Sequence, residues 1–154
     1  MIELVAAYLD RLEELHSDMN SAVADLPVEA LNWSPGSEMN SLAVLAAHTA
    51  GAERYWIGDV VARDDSQRNR AAEFRVQAGS AQALIDRLNA ALAHSRGVLE
   101  QLTLATLDEK RPSPRDGDEV TVAWALVHAL EHTATHLGHM QIMRQLWEQR
   151  RPAK

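Results

Sequence analysis

Residues 124–147 read WALVHALEHTATHLGHMQIMRQLW, and positions 128–139 of that run hold four of the seven histidines in the chain. Their spacings are four, four and three. The surrounding segment, from about Thr121 to Gln149, has helical periodicity. At about 100° per residue, His132, His136 and His139 fall about 40°, 80° and 20° from His128 on the helical wheel. All four share a narrow arc. Neighbours on that face include Ala125, Thr135 and Met143, so it reads as a surface turned inward.

Three further segments show the same periodicity. One runs from about Ile2 to Ala24, with Leu4, Val5, Tyr8, Leu12, Leu15 and Met19 on a stripe. A second starts at Ser41, a good N-cap, and reaches about Ala62, with Leu42, Leu45, Thr49, Ala52 and Trp56 on one face and His48 at its border. A third is capped by Ser80 and runs to about Gln101 through Leu84, Leu88, Ala91, Leu92, Ser95, Val98 and Leu99. Ala, Leu, Glu, Gln and Arg dominate, which favours helix on propensity alone. Four long helices in 154 residues predict an all-α four-helix bundle in a single domain spanning 1–154. The connections are longer than bundles usually need, leaving room for loops that shape a pocket. The polar stretch from Arg63 to Gly79 is one of them, with a short helix expected around 71–74.

Formal net charge is -7, and the 15 Lys and Arg are scattered, which argues against a nucleic-acid partner. Cysteine is absent, so disulfides, cysteine-type zinc sites and a protein thiol nucleophile are excluded. No signal-peptide pattern or membrane-length apolar run is present, and the expected setting is soluble and cytoplasmic.

Isolated histidines such as His16 and His94 are expected to be hydrogen-bonded core or surface residues. Several on one stripe are different. Protonated together they repel, and unpaired in a core each costs about 1–3 kcal/mol. A shared metal removes both difficulties, because neutral imidazole is a common ligand. HALEH matches H-x-x-E-H, but Glu131 sits about 100° from His132, and too little chain follows for the further ligand such proteases use. A di-iron carboxylate site needs two Glu-x-x-His motifs, and Glu13-x-x-His16 is the one pair here. A mononuclear site remains: two helix-4 histidines four apart, which leaves His128/His132 and His132/His136 both open, plus His48 from the second helix. Three nitrogen ligands and a vacancy are the layout of a catalytic site, and zinc, nickel, iron or copper all suit it.

SLAVLAAHTAGAERYWIGDVV (41–61), with its approach LNWSPGSEMN (31–40), and the 124–147 run together resemble the DinB superfamily of bacterial four-helix bundles, including YfiT-like proteins and thiol transferases. The resemblance covers essentially the whole chain. It implies a metal triad at His48, His132 and His136, holding a divalent transition metal such as zinc, nickel or iron. It also implies metal-dependent transfer chemistry on a low-molecular-weight thiol such as bacillithiol, mycothiol or glutathione, the thiol arriving as co-substrate to a protein with no cysteine. Activation of water, as in a hydrolase, is a related outcome. Where many members carry R-G-Q after the second helix-4 histidine, this chain reads Leu137-Gly138-His139. His128, His139, Glu131, Trp124 and Tyr55 are candidate supporting or pocket residues. Trp56 and Trp124 are expected in the core, and Glu53 on a solvated face. A homodimer is plausible for bundles of this kind. The competing readings are a metal-binding bundle without catalysis, serving as a sensor or stress-response partner, and a structural protein whose histidines pair with carboxylates.

Overall fold

The computed structural model describes residues 1–115 and 117–150. Four long helices carry it: α1 (Glu3–Val23), α3 (Leu42–Glu53), α5 (Ala81–Leu99) and α7 (Val122–Gln149). Short helices α2 (Val28–Asn32), α4 (Arg70–Glu73) and α6 (Leu104–Leu107) lie in the connections. Strands β1 (Lys110–Pro112) and β2 (Glu119–Thr121) form an antiparallel hairpin before α7, with Arg111 opposite Val120. α1 and α3 each pack on both α5 and α7, so α1 faces α3 across one diagonal of a square bundle. This is the all-α bundle with long connections expected from periodicity. No helix among the described residues is long and apolar enough to cross a membrane.

The expected starts of three helices are made by side-chain caps. Ser41, Ser80 and Thr121 accept hydrogen bonds from the amides of Val44, Ala83 and Trp124, satisfying donors that the first turn leaves free. α2, α6 and the hairpin were not expected. Leu4, placed on the α1 stripe, is exposed, while Leu9 and His16 are buried there.

The second expected helix changes character partway. It is α-helical to Glu53 and π-helical from Arg54 to Ala62, ending at Arg63 in the left-handed region. π-Helix is rare and concentrates near functional sites. The widened turn buries Tyr55 through Val61 without interruption. Two glycines accommodate side chains there. A Cβ at Gly58 would collide with the Arg54 guanidinium, and one at Gly51 would lie 2.2 Å from Glu73 Oε1.

α3 is enclosed on every side, and each residue from 41 to 50 is buried. A helix without a polar face belongs in an interior. That enclosure corrects the expectation for Glu53. Its side chain is 0 % exposed, accepts a hydrogen bond from Ser95 Oγ at 2.7 Å, and lies 2.6 Å from His16 Nε2. The wheel argument assumed a solvent-facing side that α3 does not have. His16, Glu53 and Ser95 form a polar layer across the α1–α3 diagonal. On one side lies a core around Leu15, Met19, Leu42, Leu88 and Met140; on the other lies one around Leu9, Leu12, Ile57, Leu99 and Leu126.

Candidate metal centre

α3 delivers His48 and α7 delivers His132 and His136 to the flank where those two helices meet. The Nε2 atoms of His48 and His132 are 3.2 Å apart, and so are those of His132 and His136. All three histidines offer a nitrogen within 4.8 Å of the others. Imidazole nitrogens held tetrahedrally at about 2.0–2.1 Å from one zinc lie about 3.3 Å from each other. The observed spacing fits an ion.

The protonation pattern fits as well. Glu73, the last residue of α4, sits behind His48 with Oε2 2.9 Å from Nδ1. A carboxylate can only accept, so Nδ1 carries a proton, and Nε2 is the nitrogen left to offer a lone pair toward the other histidines when the ring binds a metal. Arg68 clamps the same carboxylate through Nε on Oε1 at 2.7 Å and Nη2 on Oε2 at 2.9 Å. Burial pushes the Glu73 pKa up, but the His48 and Arg68 hydrogen bonds outweigh it, and the carboxyl titrates below its usual value. Burial, reinforced by His136 and His48, pushes His132 down to about 3. Burial, with His48 and His139, pushes His136 down to about 4. Both are therefore neutral and able to ligate at neutral pH. His132 Nδ1 is buried without a hydrogen-bond partner among the described residues. Among the described residues, no further histidine or carboxylate oxygen joins the cluster.

The other candidates fall elsewhere. His128 is half-buried, stacks on the half-exposed Trp124 at 5.0 Å and 7°, and meets Trp56 edge-on at 4.7 Å. Its ring centre is 6.2 Å from that of His132. Trp56 is core, as expected; Trp124 is not, standing half-exposed on the first turn of α7 with one side against Trp56 and His128. His139 is exposed, with Nδ1 3.3 Å from His136 Nδ1. Glu131 is exposed and makes no hydrogen bond among the described residues. Tyr55 is buried, with the Arg68 guanidinium over its ring at 5.6 Å; its hydroxyl pairs with Ser113 Oγ at 2.7 Å and accepts from the Arg115 amide at 3.2 Å. It ties the π-helical segment to the hairpin and backs the Arg68 side chain that holds Glu73. His16 and His94 pair with Glu53 and Asp64.

The profile of the mycothiol-S-transferases matches residues 7–149. The chain belongs to that family. Membership also places it in the DinB superfamily. A conserved protein from Enterococcus faecalis, known from a crystal structure, superposes with a TM-score of 0.80 at 21% identity, covering 95% of this chain and 98% of that one. At that identity the likeness speaks for the fold alone. No curated protein matches the chain in sequence.

Within the family's bundle, Glu73 and Arg68 are what sequence reasoning missed. Both lie in the connection after α3, a polar stretch in which nothing by spacing singles out one carboxylate among several. The available signal was Gly51, one turn beyond His48 on α3: its missing Cβ is the space that Glu73 occupies.

Proposed function

We propose that this protein is a metal-dependent thiol S-transferase, with His48, His132 and His136 holding one divalent transition metal and residues 1–154 acting as one domain. The observation that supports it most is the convergence of three imidazole nitrogens, one on a ring oriented by Glu73, in a chain of the mycothiol-S-transferase family that has no cysteine of its own. When bound, the ion would lower the pKa of a thiol sulfur and supply a low-molecular-weight thiolate, with mycothiol as the thiol that the family name carries.

The chain's own residues do the rest. Glu73 and Arg68 hold His48 in the Nδ1–H tautomer. The hydrophobic contacts of Phe74, whose ring lies 4.9 Å from that of His48, exclude water from one side. Beyond His139, a cavity of about 300 Å³ lined by Met39, Leu45, Ile142 and Met143 offers an apolar berth for the electrophile. Three protein nitrogens, with no fourth donor among the described residues, leave a position for the sulfur.

Elemental analysis of untagged protein, combined with transfer of mycothiol or N-acetylcysteine to monobromobimane, tests the reading. One ion per chain is expected, with activity lost on chelation and on His132→Ala. Substoichiometric metal that is indifferent to His132 and His136 would overturn it.

A further inference from the structure

On the opposite flank of α3, between it, α5 and the 63–79 connection, lies a cleft of about 490 Å³. That is the size of pockets that enclose small molecules. Its floor is made of small apolar side chains, Ala47 and Ala50 from α3 and Ala91 from α5, with Val76 at the edge. Its walls carry three guanidinium groups, Arg54, Arg68 and Arg87, against the single carboxylate of Glu73.

Two of the three arginines are already matched. Arg68 is held by Glu73, and Arg54 sits 3.0 Å from Asp64 and 3.8 Å from Asp59. Those contacts fix the walls in place before anything binds. Arg87 is exposed at the rim and makes no ion pair or hydrogen bond among the described residues. Its five N–H donors suit a planar or tetrahedral oxyanion. The alanine floor suits an uncharged, flat or aliphatic body.

We infer that this cleft is a second ligand site, separate from the histidine cluster, that binds a small organic anion with its acidic group on Arg87 and its apolar body against Ala47, Ala50 and Ala91. The site stands on charge and shape alone and does not rest on the thiol-transferase reading. Glu73 forms part of its wall and also faces His48, so the two sites share one carboxylate without sharing a ligand position.

Calorimetric titration with 2-naphthoate, using 2-naphthalenemethanol as the uncharged isostere, tests it. Saturable one-to-one binding is expected, at least tenfold weaker for the alcohol and for Arg87→Gln. Ala90→Trp, an exposed position on the cleft wall, is expected to abolish binding by filling the space, and His136→Ala to leave it unchanged. Circular dichroism confirms that each variant is folded. Absence of saturable binding overturns the inference. So does affinity indifferent to both Arg87→Gln and Ala90→Trp, or affinity lost with His136→Ala.

Discussion

Glu73 reaches His48 across 25 residues of sequence, from a four-residue helix that lies on the outer face of α3, to place Oε2 2.9 Å from Nδ1. This contact decides which imidazole nitrogen faces the other two histidines. A carboxylate behind a metal-ligating histidine commonly accounts for 10–100-fold in metal affinity. Glu73→Ala should therefore weaken zinc binding by about 10–100-fold, measured by competition with a chromophoric chelator. Glu73→Gln should lie between, because the amide oxygen still accepts from Nδ1 while the Arg68 ion pair is lost. Equal affinity in all three proteins would show that the contact orients nothing.

Gly51 should be as sensitive as Glu73, though it has no side chain to contribute. A Cβ there would lie 2.2 Å from Glu73 Oε1 and 2.8 Å from its carboxyl carbon. Gly51→Ala must push the carboxylate off His48, so zinc affinity should fall in the same direction as for Glu73→Ala. Gly97, exposed in α5 with nothing within 4 Å of where a Cβ would stand, is the contrast. Gly97→Ala should raise stability by about 0.5–1 kcal/mol through helix propensity and leave zinc affinity alone. Urea denaturation and chelator competition on the pair separate backbone preference from steric displacement.

The buried layer of His16, Glu53 and Ser95 is expected to be costly to break and cheap to replace. Removing one partner strands a carboxylate in the core, so His16→Ala should destabilise by about 3–5 kcal/mol. Replacing both, as His16→Leu with Glu53→Leu, exchanges the pair for apolar volume and should cost less than His16→Ala alone. Chemical denaturation of the single and double variants reads this directly. A double variant that is the least stable of the set would show that the layer contributes net stability.

Alkaline pH should destabilise the protein through Tyr8. Its hydroxyl donates to the Leu126 carbonyl at 2.9 Å, and burial, with the charge on Glu53, raises its pKa far above the usual value. The fold thus favours the neutral phenol. The unfolded chain releases this proton near pH 10, so the stabilisation is fully present below about pH 10 and is lost as pH rises toward the folded pKa. Tyr8→Phe should cost about 1 kcal/mol at neutral pH through the lost hydrogen bond, yet lose less Tm than the parent between pH 9 and pH 11. Parallel Tm curves would rule Tyr8 out as the titrating group.

Much of the bundle was legible because long helices announce themselves by period and by caps: Ser41, Ser80 and Thr121 begin helices where expected. The elements that escaped notice are short: α6 is begun by a capping box between Thr103 and Thr106, but four or five residues are too few for a helical period to show in α2 or α6. The switch to π-helix at Arg54 has no sequence signal either, since a widened turn is set by what packs around it. For the site, wheel geometry gathers histidines onto one face but treats the helix as isolated. It could not show that Trp56 and Trp124 hold His128 to one side, nor that a chain segment far in sequence would supply Glu73.

His128 and His136 are equivalent on the wheel, and the environment of each ring separates them. His136 turns Nε2 to within 3.2 Å of His132 Nε2, whereas His128 packs in a three-ring cluster with Trp56 and Trp124, its centre 6.2 Å from that of His132. His136→Ala removes one of three converging nitrogens and should reduce zinc affinity by at least 100-fold, a larger loss than the 10–100-fold typical of an outer partner. His128→Ala removes a stacking contact and should leave zinc affinity within about threefold while costing roughly 0.5–1.5 kcal/mol of stability. Chelator competition and thermal melts of the two variants distinguish the roles. A reversed pattern, with zinc lost in His128→Ala and kept in His136→Ala, would move the centre one turn along α7 and away from Glu73.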